Sequence, residues 1–242
     1  MKTRLLTTIG LALAIGTMGC AHAEGTEPHE MSAVEHEAAA EQEEQTAGGH
    51  QTEYDPDATG TDAGCVPGER GAACWTSRMN PTAEHRGDAG RHREIAAQHR
   101  AASEALRNAE ASACSGVPEE DRDMSPFMHR EDIRSVTPLT EEVGHGRARA
   151  THTAGAVIVF NAVPGITEEW LQRVVNCHIA RNAAIGHPQA SEEMPGCPLT
   201  LNGVEANVAS VGDGFSVTVR SSSVETANQI LERAQALTGG AE

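Results

Sequence analysis

The chain has 242 residues, a formal net charge of -17, and only three Phe, two Trp and one Tyr. So few large side chains allow only a small core, and much of the length is expected to stay unpacked. The acidic balance, without any basic patch carrying interleaved aromatic residues, speaks against a nucleic-acid partner.

Residues 1–23 read as an export signal, because Lys2 and Arg4 precede an apolar run from Leu5 to Met18 and small residues follow. Two processing routes stay open. Cleavage after Ala21-His22-Ala23 releases a soluble protein, whereas Gly19-Cys20 has the form of a lipoprotein box in which Cys20 is lipidated and anchors the chain to a membrane. Thr17 stands where that box usually has Leu. The apolar run is too short for a retained span, and no later segment approaches the required length. Export to the cell envelope or periplasm places Cys65, Cys74, Cys114, Cys177 and Cys197 where disulfides form, and an odd set leaves at least one unpaired in a monomer.

From Ala21 to Glu69 there are thirteen acidic residues and no Lys or Arg. With little to bury, residues 24–64 are expected to form a disordered acidic tether carrying His29, His36 and His50. Residues 65–80 form a cysteine loop, whose Pro-Gly turn brings Cys65 and Cys74 together as a small disulfide.

Residues 81–131 read as a helix and a docking loop. Asn80-Pro81 is a helix start weakened by Gly87 and Gly90, and the surer helix runs from about Arg91 to Ala113. His85, His92 and His99 fall seven apart. That spacing separates successive rings by about 10 Å along one helix, so they do not chelate one ion within it. After Cys114, Met124, Phe127, Met128 and His129 sit amid charged residues and are expected to dock a Phe-Met pair on the following domain. The same Met and His side chains offer soft ligands to copper(I).

Residues 132–240 have the pattern of an α+β domain. Ile133–Val143 reads as a short strand and loop, and Arg147–Thr153 as a further edge strand leading through Ala154-Gly155 into Ala156–Phe160, a buried strand. Thr167 caps a helix over Glu168–Ile185, Val204–Val208 and Phe215–Val219 alternate as a hairpin, and an amphipathic helix closes the chain from Val224 to Leu237. The expected architecture is therefore a long helix followed by a small βαββα ferredoxin-like domain, preceded by the disordered acidic tail.

The stretch from Cys177 to Cys197 gathers the candidate chemistry. As a staple, Cys177 and Cys197 close a loop of about twenty residues. As a soft-metal site, Cys177, His178, His187, Met194 and Cys197 supply thiolate, imidazole and thioether to copper or zinc. At 100° per residue, His178 points into the apolar face of its helix and Cys177 lies on the flank, free to meet Cys197 or Cys114.

The segments HREIAAQHRAASEALRNAEASAC, DRDMSPFMHREDI, VPGITEEWLQRVVNCHIARNAAIGH and MPGCPL resemble a group of uncharacterised exported bacterial proteins with lipoprotein-like leaders, over about residues 91–237. The resemblance implies a helix joined to an α+β domain bearing a Cys-His pair (Cys177, His178) and a later Cys-Pro-Leu (Cys197). It implies no activity. With no nucleophile elbow, phosphate loop or zinc-protease motif in the chain, the expected function is a non-enzymatic cell-envelope binding or interaction module. A periplasmic binder of copper or zinc is the alternative.

Overall fold

The computed structural model describes residues 23–68, 71–144, 149–186 and 196–238. The export segment with Cys20, and both His187 and Met194, lie outside them. Among the described residues the chain is α+β, with four α-helices and two antiparallel sheets.

The acidic segment is folded, which corrects the tether expected there. Helix α1 spans Ala33–Glu53. Ser32 opens it with a capping box: its Oγ accepts from the Glu35 amide at 3.2 Å, and the Glu35 carboxylate accepts from the Ser32 amide at 2.8 Å. Alanine, glutamate and glutamine, all strong helix formers, fill the interior. Helix α2, Ala83–Ala113, runs back along it and is longer than the sequence pattern suggests, continuing through Gly87 and Gly90. Tertiary packing supplies what propensity lacks there. Ala33, Ala40 and Ala47 of α1 and Ala89 and Ala96 of α2 are all 0% exposed. Each set repeats every seven residues, the spacing of a coiled-coil seam, and alanine lets the two backbones approach closely. Glu44 of α1 pairs with Arg100 of α2 at 2.9 Å, and Glu37 with Arg107 at 3.8 Å. Such exposed pairs contribute little energy, but they match the acidic helix to the arginine-bearing one.

Between the two helices, β1 (Gly60–Val66) and β2 (Ala73–Met79) form an antiparallel ribbon. Cys65 and Cys74 stand opposite each other in its register and are joined by a disulfide. A side chain at Gly64 would collide with the Trp75 indole, so the glycine leaves room for that ring against the opposite strand. At the ribbon's base the Asp55 carbonyl accepts from Asn80 Nδ2 at 2.7 Å and from Thr82 Oγ1 at 3.1 Å.

The second sheet has the order β3-β4-β6-β5, antiparallel throughout. Its strands are β3 (Ile133–Val143), β4 (Ala150–Asn161), β5 (Val204–Val211) and β6 (Gly214–Ser221). Pro138 sits in β3, an edge strand, where a missing amide is tolerated. Helices α3 (Glu168–Ile185) and α4 (Val224–Thr238) share one core with this sheet, in which Val175 and Ile230 meet Ile158 and Val217. Phe127 is the docking side chain of the loop after α2, fully buried and stacked on Phe160 with ring centroids 5.6 Å apart. Met124 and Met128 remain exposed.

A second disulfide joins Cys114, at the end of α2, to Cys177 of α3. Arg181 of α3 reinforces this junction by pairing with Glu110 at 2.8 Å and with Asp123. The staple expected between Cys177 and Cys197 is therefore not formed. Helix α3 is covered on two sides: Cys177 and Val174 face α2 with Cys114 and Val117, whereas Cys197 packs in the sheet-side core with Phe127 and Leu199.

Candidate metal centre

The facing surfaces of α1 and α2 carry a polar series beside the alanine seam. His36, Glu43 and His50 are seven apart on α1, and His85, His92 and His99 are seven apart on α2. Because the helices are antiparallel, they meet in reverse order. His36 Nδ1 lies 3.0 Å from His99 Nδ1, Glu43 lies 2.5 Å from His92 Nδ1, and His50 Nδ1 lies 3.3 Å from His85 Nδ1. The spacing that forbids chelation within one helix thus brings rings together between two. One ion needs ligands at one level, and each level receives a side chain from either helix.

The level nearest the ribbon holds a third donor. Glu53, in the last turn of α1, places a carboxylate oxygen 3.0 Å from His85 Nδ1 and 3.7 Å from His50 Nδ1. All three donor atoms lie within 4.8 Å of one another. His50 and His85 are about three-quarters covered, and Glu53 reaches in from solvent. His92 stacks on His50 with ring planes 12° apart and centroids 5.4 Å apart. Its Nδ1 is engaged by Glu43, which fixes the ring against His50. Two imidazoles and a carboxylate, open to water on one side, suit borderline divalent ions such as zinc, nickel or copper(II). The set contains no sulfur, the ligand type that selects copper(I).

At the far end of the seam His36 and His99 are buried, at 0% and 5% exposure. Facing Nδ1 atoms bond only if one ring donates and the other accepts, so one Nδ1 must be unprotonated. Burial, then the nearby His99, holds the His36 pKa below the usual histidine value, against the raising effects of the Glu27 backbone and the Glu30 and Glu35 carboxylates.

The soft-metal set expected around Cys177 does not assemble among the described residues. Cys177 is consumed by its bond to Cys114 and has no thiolate to offer. His178 and Cys197 do meet, with Nε2 3.7 Å from Sγ, as the inward direction of His178 requires. Cys197 is a buried free cysteine, Ser125 Oγ is 3.3 Å from its sulfur, and burial pushes its thiol pKa up. A neutral thiol in a core is neither a nucleophile nor a ready ligand. His50, Glu53 and His85 were not assembled by sequence reasoning, although His50 and His85 each stood out. The readable signal was the matching sevenfold spacing in two separate segments.

No protein-family model, no curated protein and no solved structure matches the chain.

Proposed function

We propose that this is an exported, non-enzymatic metal-binding protein, in which the α1–α2 hairpin takes a borderline divalent transition ion through His50, Glu53 and His85. The convergence of two imidazoles and one carboxylate within 4.8 Å carries this reading. The α+β part serves as the platform, and its strand order fits a ferredoxin-like arrangement in which β3, arriving from the N-terminal side, takes the outer place beside β4. Export through residues 1–23 and lipid anchoring at Cys20 complete the proposal, and two disulfides agree with an oxidising compartment. Zinc, nickel and copper(II) titrations of the disulfide-intact protein, read by calorimetry, test it. One ion per chain is expected, and His85→Ala should lower the affinity at least about tenfold, since even losing a group that only orients a metal ligand costs about that much. Unchanged binding by His85→Ala, or an equal loss on replacing the exposed His129, would rule the site out.

A second reading, an interaction module without metal, is favoured by the ribbon alone, where Val66, Trp75 and Met79 are exposed. The same titration separates the two, since that module needs no ion.

A further inference from the structure

The two disulfides occupy opposite settings. Cys114–Cys177 is buried at 2% and 0% exposure and joins α2 to α3. Cys65 and Cys74 are both exposed, on a ribbon whose strand β2 is exposed at every residue. Among the described residues, none of the ribbon belongs to either apolar core cluster. The Cys65–Cys74 bond also joins positions already paired in the strand register, with Cα atoms 4.0 Å apart, rather than tying distant elements.

These features make the ribbon bond reachable and its opening local. A thiolate must approach a disulfide sulfur to exchange with it, so access governs which bond reacts. Opening Cys114–Cys177 requires parting two packed helices, whereas opening Cys65–Cys74 disturbs no core and leaves the two sulfurs side by side.

We propose that Cys65–Cys74 is a thiol-exchange site, reversibly reduced by a dithiol protein of the envelope oxidoreductase class while Cys114–Cys177 stays closed. A thiolate of that reductant attacks the sulfur of Cys65 or Cys74, forming a mixed disulfide and releasing the other cysteine as a thiolate. The reductant's second thiol then displaces the bound cysteine. Two electrons pass to the ribbon, the reductant leaves as its own disulfide, and the protons of its two thiols end on Cys65 and Cys74. The site rests on the ribbon's geometry and is independent of the metal reading.

The full mature chain, folded at neutral pH, is exposed to graded dithiothreitol, quenched by alkylation, and mapped by peptide mass. Cys65 and Cys74 are expected to label at least about tenfold faster than Cys114 and Cys177, with the far-ultraviolet dichroism unchanged. In parallel, a thioredoxin-fold reductant lacking its resolving cysteine is expected to be captured as a mixed disulfide at Cys65 or Cys74. Opening of both bonds at one rate, resistance of the ribbon bond until the chain unfolds, or capture absent or located at Cys114 or Cys177 would overturn the proposal.

Discussion

His36 and His99 face each other Nδ1 to Nδ1 at 3.0 Å, in a buried part of the helix seam. The contact holds with one proton between the two nitrogens and fails with two. His36 titrates below its unfolded value when the chain is folded, because burial and His99 outweigh Glu30, Glu35 and the Glu27 backbone. The unfolded chain therefore binds more protons as pH falls below about 6.5. This contribution to stability is complete above that pH and is lost as pH drops through the folded value. Urea unfolding at pH 7.5 and 5.5 should show the weaker state at 5.5, and His36→Gln should flatten the difference. An equal pH response in that variant would assign the effect elsewhere.

The alanine seam sets a steric limit. Ala96 is 0% exposed where α2 crosses α1, so Ala96→Leu forces the helices apart at a cost of about 1–3 kcal/mol. Ala101, on the exposed side of the same helix, should accept leucine within about 0.5 kcal/mol. Thermal unfolding of the two variants checks the contrast.

Replacing both Cys114 and Cys177 by alanine removes a bridge across a sequence separation of 63. Chain entropy alone predicts a loss of roughly 4 kcal/mol. Linear extrapolation of denaturant unfolding measures it. A loss confined to the hairpin signal, with the sheet signal unmoved, would show that the two parts unfold separately.

Phe127 is fully buried against Phe160. Phe127→Ala should destabilise the α+β part by about 3–5 kcal/mol, as large aromatic truncations in cores do. Replacement of the exposed Met128 nearby should cost less than about 0.5 kcal/mol.

The β5–β6 hairpin and the two helices were legible because their burial follows simple periods, whereas β3 read as a short strand and loop and the start of β4, Ala150–Thr153, as a separate edge strand. Val204, Ala206 and Val208 alternate, Leu171, Val174 and Val175 recur at helical spacing, and the Thr167 cap and Gly212-Asp213 turn stand where the chain reverses. Helix α1 was not legible because its buried side is made of Ala33, Ala40, Ala47 and His36, which carry almost no hydropathy signal. Its stability depends on α2, and composition alone reads such a segment as solvated. Two marks did point to it: the Ser32–Glu35 capping box and the sevenfold match between His36, Glu43, His50 and His85, His92, His99. The sequence left Cys177 two partners, Cys197 and Cys114, and the choice of Cys114 was hidden for a related reason. Which side of α3 receives α2 is a tertiary fact, and the local pattern placed Cys177 on a flank without naming what lies beyond it.

A seam that repeats every seven residues looks nearly the same after sliding by one repeat: His36 would then meet His92, and Glu43 would meet His85. The side chains of the seam therefore do not by themselves choose the alignment. Asp55, held by Asn80 and Thr82 at the ribbon's base, and Gln98, which accepts from the Ala23 amide at 2.9 Å and Thr26 Oγ1 at 3.1 Å, act as a ruler at two points along the hairpin. Loosening the ruler without touching any histidine would let the same side chains form a different set of levels, and Glu53 and His50, which stay together on α1, would lose His85.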